Sequence, residues 1–176
     1  MTLSRDLSVP WQSRPMQDVL QSLFLAELVS PGSQLWLLSA WVSDIEVVDN
    51  RARAFAGVRP DWPSAKIRLS GVIEALVTRG ARVAIVMRDV DHNNPFLKRL
   101  EEIQRSARGH LGIALGEAAH EKTIVGDDYV FGGSMNLTHY GLTSNDEHML
   151  LRVDPAAAAR RRLAIDQRWK GALRWQ

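Results

Sequence analysis

The chain has 176 residues, of which 45% are hydrophobic and 24% are charged, and its formal net charge is +2. This composition is ordinary for a globular protein of one domain and argues against disorder. Cysteine is absent, which excludes disulfides, thiolate metal sites and a cysteine nucleophile. The N-terminus lacks the apolar segment of a secretory signal, and no apolar window reaches the roughly 18 residues of a membrane span. We therefore expect a single domain over residues 1–176, in the cytoplasm and without membrane insertion.

Apolar periodicity predicts alternating helices and strands in the first half of the chain. Helical spacing covers Met16–Val29, and a Ser-Pro-Gly-Ser turn follows it. The apolar runs Gln34–Val42 and Ala81–Asp89 have the length of buried strands. A second helix, with Ser64 as its cap and its end near Gly80, is predicted between these strands.

The region Asp44–Ser64 is the least regular part of the sequence. Connections of this length are often functional, so a flap facing a substrate is one interpretation. The other interpretation is a solvated connector that contains a short helix within Ile45–Phe55. The sequence leaves both open.

One stretch has the alternate spacing of a calcium-binding loop, at Asp89, Asp91 and Asn93. The glycine expected at the sixth position is Asn94, and Leu100 replaces the terminal glutamate. The simpler interpretation is that Asn94 caps a helix whose first residue is the following proline. The sequence therefore predicts no metal site here.

The second half reads mainly as strands. Strand patterns cover His110–Leu115 and Glu147–Val153, and between them Lys122–Val125 and Tyr129–Gly132 form a predicted hairpin. A C-terminal helix is predicted from the cap Asp154 through the remainder of the chain. The order of elements predicts an α/β fold with a mixed β-sheet flanked by helices on both faces.

The predicted hairpin lies within HEKTIVGDDYVFGGSMN, which has polar groups at one end. His120 and Lys122 share a face of the first strand, because side chains two residues apart point the same way. The turn brings Ser134 and Asn136 back beside them. Ammonium, hydroxyl and amide donors suit a phosphate, the adjacent glycines allow close approach of an anion, and histidine is a competent nucleophile or acid–base group.

The residues of this stretch with motif spacing are His120, Lys122, Asp127, Gly133, Ser134 and Asn136. Their spacing resembles the HKD motif of the phospholipase D superfamily, and Asn145 and Glu147 resemble the trailing N-x-E of that superfamily. The resemblance covers roughly Gln34 to Val153 and implies a phospholipase D-like α/β/α sandwich. Five residues separate the motif aspartate from the glycine where six are usual, so either Asp127 or Asp128 fills that position.

The resemblance implies a reaction without metal or cofactor that uses two HKD motifs. One histidine attacks phosphorus to form a phosphohistidine, the other protonates the leaving oxygen, and water completes hydrolysis. This chain has one motif, so the resemblance implies a two-fold homodimer that joins two copies of His120. It further implies that Lys122 and Asn136 hold the phosphate, Ser134 adds a hydrogen bond and Glu147 orients the histidine.

Structural interpretations accompany these roles. Asp127 is predicted to tie the hairpin turn rather than to react, and Gly133 is also a structural residue of the motif. The hydroxyl of Ser134 has a second interpretation as the cap of a short helix that begins near Asn136. Trp41 could stack on a base, but the core is the expected place for a tryptophan.

The leading functional hypothesis is a metal-independent phosphodiesterase that cleaves DNA or RNA. The six basic residues between Arg160 and Arg174 would contact the polyanion, although they also fit the solvated face of a helix. One alternative is hydrolysis of phospholipid headgroup diesters. Another is a catalytically silent DNA-binding subunit, because the chain resembles phospholipase D-like proteins of phage-defence and 7-deazapurine DNA-modification gene clusters. Other subunits of such a cluster would then be partners.

Overall fold

A computed structural model describes residues 3–7, 13–143 and 146–176. Ten strands are assigned: β1 (Leu3–Asp6), β2 (Leu35–Ser39), β3 (Glu46–Asp49), β4 (Lys66–Arg68), β5 (Val83–Met87), β6 (Leu111–Leu115), β7 (Thr123–Val125), β8 (Tyr129–Gly133), β9 (Met149–Val153) and β10 (Arg174–Trp175). The helices are α1 (Ser13–Val29), α2 (Leu69–Thr78), α3 (Asn94–Ser106), α4 (His139–Thr143) and α5 (Pro155–Trp169).

Eight of the strands form one mixed sheet in the order β1-β9-β8-β7-β2-β5-β6-β10. Strands β2, β5 and β6 are parallel, and the remaining pairs are antiparallel. Every residue of β2 and β5 is buried, because helices cover both faces of the parallel centre. The carboxyl ends of β2 and β5 therefore lie side by side at one end of the strands, next to the start of β7.

The two faces of the sheet carry different layers. Along β2, Leu35 and Leu37 pack into the core under α1, α2 and α3, whereas Trp36 and Leu38 pack into a smaller core that includes Ile165 of α5. This alternation follows from the two-residue repeat of a strand. The predicted fold, a mixed sheet with helices on both faces, is confirmed.

The region predicted as a flap or as a connector with a short helix contains no helix. Strands β3 and β4 pair antiparallel there, and turns join them. The buried amide of Asn50 organises the turns, because it donates to the carbonyl of Pro63 at 2.9 Å and accepts from the amide of Phe55 at 3.1 Å. This region, α1 and α4 line a cleft of about 940 Å³. The flap stays a prediction.

Two of the three predicted helix caps are wrong. Ser64 lies before β4, and its hydroxyl donates to the carbonyl of Arg51, so α2 begins only at Leu69. Asn94 is the first residue of α3 and not its cap. The cap at Asp154 is confirmed, since its carboxylate accepts from the amide of Ala157 at 3.0 Å.

The edge strands β1 and β10 were not predicted. Leu3 pairs with Val153, and Arg174 pairs with Ile113. The C-terminal helix consequently ends at Trp169 instead of continuing through the remainder of the chain. Within the described ranges, the helices are all too short or too polar to cross a membrane.

Candidate active site

The hairpin of β7 and β8 brings the two halves of the polar stretch together. Thr123 lies opposite Gly132, and the amide of Gly133 donates to the carbonyl of Lys122 at 3.1 Å. A Cβ atom on Gly133 would collide with the carbonyl oxygen of His148 in the adjacent strand. Only glycine therefore fits the close approach of these two strands, in keeping with the structural role predicted for this residue.

Lys122 lies at the open end of the hairpin, directly before β7. Its ammonium donates to the carbonyl of His120 at 2.6 Å and keeps two further hydrogens for an acceptor. Partial burial lowers the pKa of Lys122, with a further decrease from the charge of Arg88, while Glu147 acts in the opposite direction. Lys122 and Arg88 flank the carboxyl end of β2, because Thr123 and Val86 both pair with Leu38, and His120 is exposed.

Ser134 joins the end of β8 to the start of β9. Its hydroxyl donates to the carboxylate of Glu147 and accepts from the amide of His148 at 2.9 Å. The alternative interpretation of Ser134 as a helix cap is wrong, because α4 begins only at His139. An orienting contact from Glu147 to the imidazole of His120 stays a prediction, and Asn145 lies outside the described residues.

Asn136 lies where the chain passes the carboxyl end of β2. Its side-chain oxygen accepts from the amide of Trp41 at 3.2 Å and lies 3.4 Å from the hydroxyl of Ser39, which donates to the carbonyl of Trp41 at 2.8 Å. The same hydroxyl accepts from the amide of Leu137 at 3.0 Å. The side-chain oxygen of Asn136 therefore faces the protein and leaves its amide nitrogen as the group that can donate to a ligand.

Asn93 holds the carboxyl ends of β2 and β5 together, a role that the sequence did not reveal. Its buried amide donates to the carbonyls of Ala40 at 2.9 Å and Arg88 at 2.8 Å and accepts from the amide of Val42 at 2.8 Å. It thereby joins the chain leaving β2 to the chain leaving β5. These bonds explain an asparagine at this position without a calcium loop.

Trp41 and Arg88 extend the candidate site beyond the motif. The indole of Trp41 is 37% exposed, so its predicted place in the core is wrong. The guanidinium carbon of Arg88 lies 6.0 Å from the centre of the indole ring. Neither residue belongs to a recognisable motif, and only their position after the two buried parallel strands could have indicated them.

Asp127 lies at the opposite, turn end of the hairpin. Its carboxylate accepts from the amide and hydroxyl of Ser33, at 2.8 and 2.7 Å, and forms an ion pair with Arg162. Partial burial acts to raise the pKa of Asp127, but the Ser33 bonds and the Arg162 charge outweigh it and hold the pKa below its ordinary value. These contacts favour the structural role predicted for Asp127, whereas the side chain of Asp128 is exposed.

Helix α5 holds the hairpin from the second face of the sheet. Glu121 pairs with Arg161 of α5. The adjacent Arg162 pairs with Asp127. The strand face predicted to be shared by His120 and Lys122 is wrong, because β7 begins only at Thr123. Within the parts of the chain that the structure describes, no group of three or more His, Asp or Glu side chains is placed to hold a metal ion.

Many solved structures share this fold, and three of them are compared below. NucT from Helicobacter pylori has a TM-score of 0.65 and 15% identity, covering 100% of both chains. Nuc from Salmonella typhimurium, a phospholipase D family member, has a TM-score of 0.59 and 18% identity, covering 99% of this chain and 96% of that one. Phosphatidylserine synthase from Haemophilus influenzae Rd KW20 has a TM-score of 0.67 and 15% identity, covering 98% of this chain and 40% of that one. At these identities the likeness shows the fold alone.

Sequence comparison shows the family. No curated protein matches the chain. A family model described as "Cardiolipin synthase, PLD-like domain" matches residues 63–169, which include α2 through α5 and the entire HKD-like stretch. The chain therefore belongs to the phospholipase D superfamily, whose members are phosphodiesterases.

Proposed function

We propose that this protein is a metal-independent phosphodiesterase that cleaves the backbone of DNA or RNA. The observation that carries the proposal is the pair of cations, Lys122 and Arg88, which flank the carboxyl end of β2, together with the exposed His120 two residues before Lys122. Two neighbouring positive charges with amide and hydroxyl donors around them fit a phosphodiester, whose negative charge increases at the reacting phosphorus.

Each residue of the motif has a role in the proposed reaction. A ring nitrogen of His120 attacks phosphorus, a P–N bond forms and the bond from phosphorus to the leaving oxygen breaks. The leaving oxygen takes a proton from a second histidine. Water then attacks phosphorus, gives its proton to that second histidine and displaces His120, which restores both imidazoles.

The second histidine in this proposal is His120 of the partner subunit in a two-fold homodimer. A self-complementary contact at the carboxyl edge of the sheet would place the two imidazoles on opposite sides of one phosphate. Lys122 and Asn136 would hold the non-bridging oxygens. Ser134 and Glu147 form a pair in the structure, and Glu147 would accept a hydrogen bond from His120 while Ser134 fixes the carboxylate.

The decisive experiment measures cleavage of end-labelled single-stranded DNA, duplex DNA and RNA in the presence of EDTA. We expect the protein to cleave nucleic acid and the His120→Ala variant to lose cleavage, because no other group replaces the nucleophile. His139→Ala is the matched control, since His139 is an exposed histidine outside the motif. Full cleavage by His120→Ala would refute the mechanism.

The homodimer has a separate test. Adding increasing amounts of His120→Ala protein to wild type, with subunit exchange, should lower activity per wild-type chain, because mixed dimers contain one histidine. Mass measured in solution should correspond to two chains. A fully active monomer would refute the shared site.

The same samples address the two alternatives. Release of headgroup from phospholipid vesicles without cleavage of any nucleic acid would favour the lipid substrate. A gel shift with DNA and no cleavage of any substrate would favour a silent DNA-binding subunit, whose partners would then be other proteins of a gene cluster.

A further inference from the structure

Trp41 is unusual among the tryptophans that the structure describes. Trp36, Trp62 and Trp169 are buried, with exposed fractions between 2% and 8%, whereas Trp41 is 37% exposed. Exposure of a large aromatic ring to water is unfavourable, and such rings are enriched where a ligand covers them. The ring lies at the edge of the sheet that carries the HKD-like residues.

The backbone around Trp41 is fixed on both sides. Its amide donates to Asn136, and its carbonyl accepts from the hydroxyl of Ser39 at 2.8 Å. The preceding carbonyl and the following amide are bound by the buried side chain of Asn93. The ring is therefore held on a rigid support tied directly to a motif residue, as a binding platform requires.

Arg88 lies beside this ring with an incomplete set of hydrogen bonds. Its Nε atom is buried and has no hydrogen-bond partner among the described residues. Its terminal guanidinium nitrogens also make no hydrogen bond or ion pair with another described residue, so they can donate to a phosphate oxygen. Arg88 and Lys122 lie on the two sides of the carboxyl end of β2, because Val86 and Thr123 both pair with Leu38.

We propose that Trp41 and Arg88, here called the Trp41–Arg88 pair, form a nucleotide subsite beside the reacting phosphate. Trp41 stacks on the base of the nucleotide next to the scissile bond, and Arg88 binds a phosphate oxygen through its unpaired face. Both faces of a base in a duplex are covered by neighbouring bases. The substrate is therefore single-stranded nucleic acid. This inference rests on the proposed function and names its substrate class.

Binding is measured in the His120→Ala background, where the substrate stays intact. The probe is a fluorescent oligodeoxynucleotide of about 12 nucleotides, within the range of known single-strand sites, and its duplex with a complementary strand is compared by anisotropy. We expect Trp41→Ala to weaken single-strand binding by about 5- to 150-fold, the range for loss of one stacked base. Trp41→Phe should keep most of the affinity, and the duplex should bind more weakly and respond little to either change.

Arg88 has a matched control in Arg82, which precedes β5 where Arg88 follows it. Arg82 also lies over a tryptophan ring, 4.5 Å from the centre of Trp175, at the other end of the sheet. We expect Arg88→Ala to weaken binding of the oligonucleotide and to reduce its salt dependence, and Arg82→Ala to change neither. Thermal unfolding of each variant confirms that it is folded.

The subsite is overturned if Trp41→Ala binds the single strand as tightly as its parent, or if the duplex binds equally well. A cleavage assay provides a test that is independent of the binding measurement. In protein with His120 intact, an oligonucleotide with abasic sites on both sides of the scissile phosphate should be cut equally by wild type and Trp41→Ala. Absence of cleavage with normal single-strand binding would refute the proposed function and leave the subsite supported.

Discussion

At the turn end of the β7–β8 hairpin, the carboxylate of Asp127 is paired with Ser33 and Arg162. At the open end, Lys122 uses one hydrogen on a neighbouring carbonyl, and His120 is exposed to solvent. The two ends belong to the same short pair of strands, so the difference does not come from the hairpin. The protein satisfies Asp127 internally at one end, whereas at the other end it leaves two hydrogens of Lys122 and an exposed imidazole for the proposed ligand.

The largest effect should come from Lys122→Ala at the open end. Removal of one preorganised cation from a site of developing charge lowers the rate of cleavage by about 100- to 1000-fold. The free energy of unfolding should change little, because the ammonium makes one exposed hydrogen bond. Cleavage assays and urea unfolding measure the two quantities.

Lys98→Ala is the control for this change, since Lys98 is exposed on α3. The pH profile gives a second reading. Because the pKa of Lys122 is below its ordinary 10.5, the ammonium loses its proton earlier than an ordinary lysine as pH rises, and cleavage should fall accordingly. A Lys122→Ala protein with a lower free energy of unfolding and an unchanged rate of cleavage would contradict the prediction that Lys122 serves cleavage and not stability.

Asp127→Asn tests the turn end. It should lower the stability of the protein and leave the rate of cleavage nearly unchanged. Loss of the charge beside Arg162 and weaker bonds from Ser33 should lower the free energy of unfolding by about 1–2 kcal/mol, discounted for partial exposure. The rate of cleavage by folded protein should stay close to that of wild type. Asp128→Asn, at the exposed neighbouring position, serves as the control and should unfold like wild type.

The pH dependence of this effect has a definite sign. The pKa of Asp127 is lower in the folded protein, so its stabilisation is complete above the ordinary value of 3.8 and is lost as pH falls through the folded value. The difference between wild type and Asp127→Asn should therefore shrink in acid. A constant difference between pH 7 and strong acid would contradict the ionic contribution.

Glu27→Gln should give the smallest effect, and it should raise the free energy of unfolding instead of lowering it. Glu27 is buried beneath the turn and accepts from the amide of Gly32 at 3.1 Å. Burial raises the pKa of Glu27, which means that its charge is unfavourable in the folded protein near neutral pH. Gln keeps an acceptor for Gly32 without the charge, so it should stabilise the protein by up to about 1 kcal/mol at pH 7.

This advantage should disappear below the ordinary pKa of 4.5, where the carboxyl group of Glu27 is neutral in both the folded and the unfolded chain. Urea unfolding at pH 7 and in acid measures the change. Glu101→Gln, on the exposed side of α3, gives the baseline. Equal stabilisation at both pH values would rule out the buried charge as its cause.

The sequence predicted elements whose pattern is local. Buried strands β2 and β5 are continuous apolar runs, and the cap at Asp154 follows from one residue and its neighbours. Strands β1 and β10 are short and mostly exposed, and they exist because they pair with residues far away in the chain. No local pattern distinguishes such segments from loops.

The same distinction applies to the candidate site. The residues of the HKD-like stretch are close in sequence, so spacing alone groups them. Asn93, Trp41 and Arg88 follow two other strands, and they meet the motif only because β2 lies between β7, its antiparallel neighbour, and β5, its parallel neighbour. Their contribution depends on the topology of the sheet, which the sequence predicted only in outline.

The ion pairs between α5 and the β7–β8 hairpin have a consequence for the electrostatics of nucleic-acid binding. Six basic residues lie between Arg160 and Arg174, and three of them, Arg161, Arg162 and Lys170, already pair with Glu121, Asp127 and Asp166. A neutralised cation displaces few counterions from a nucleic acid. This segment should therefore contribute at most about three units to the slope of log affinity against log salt.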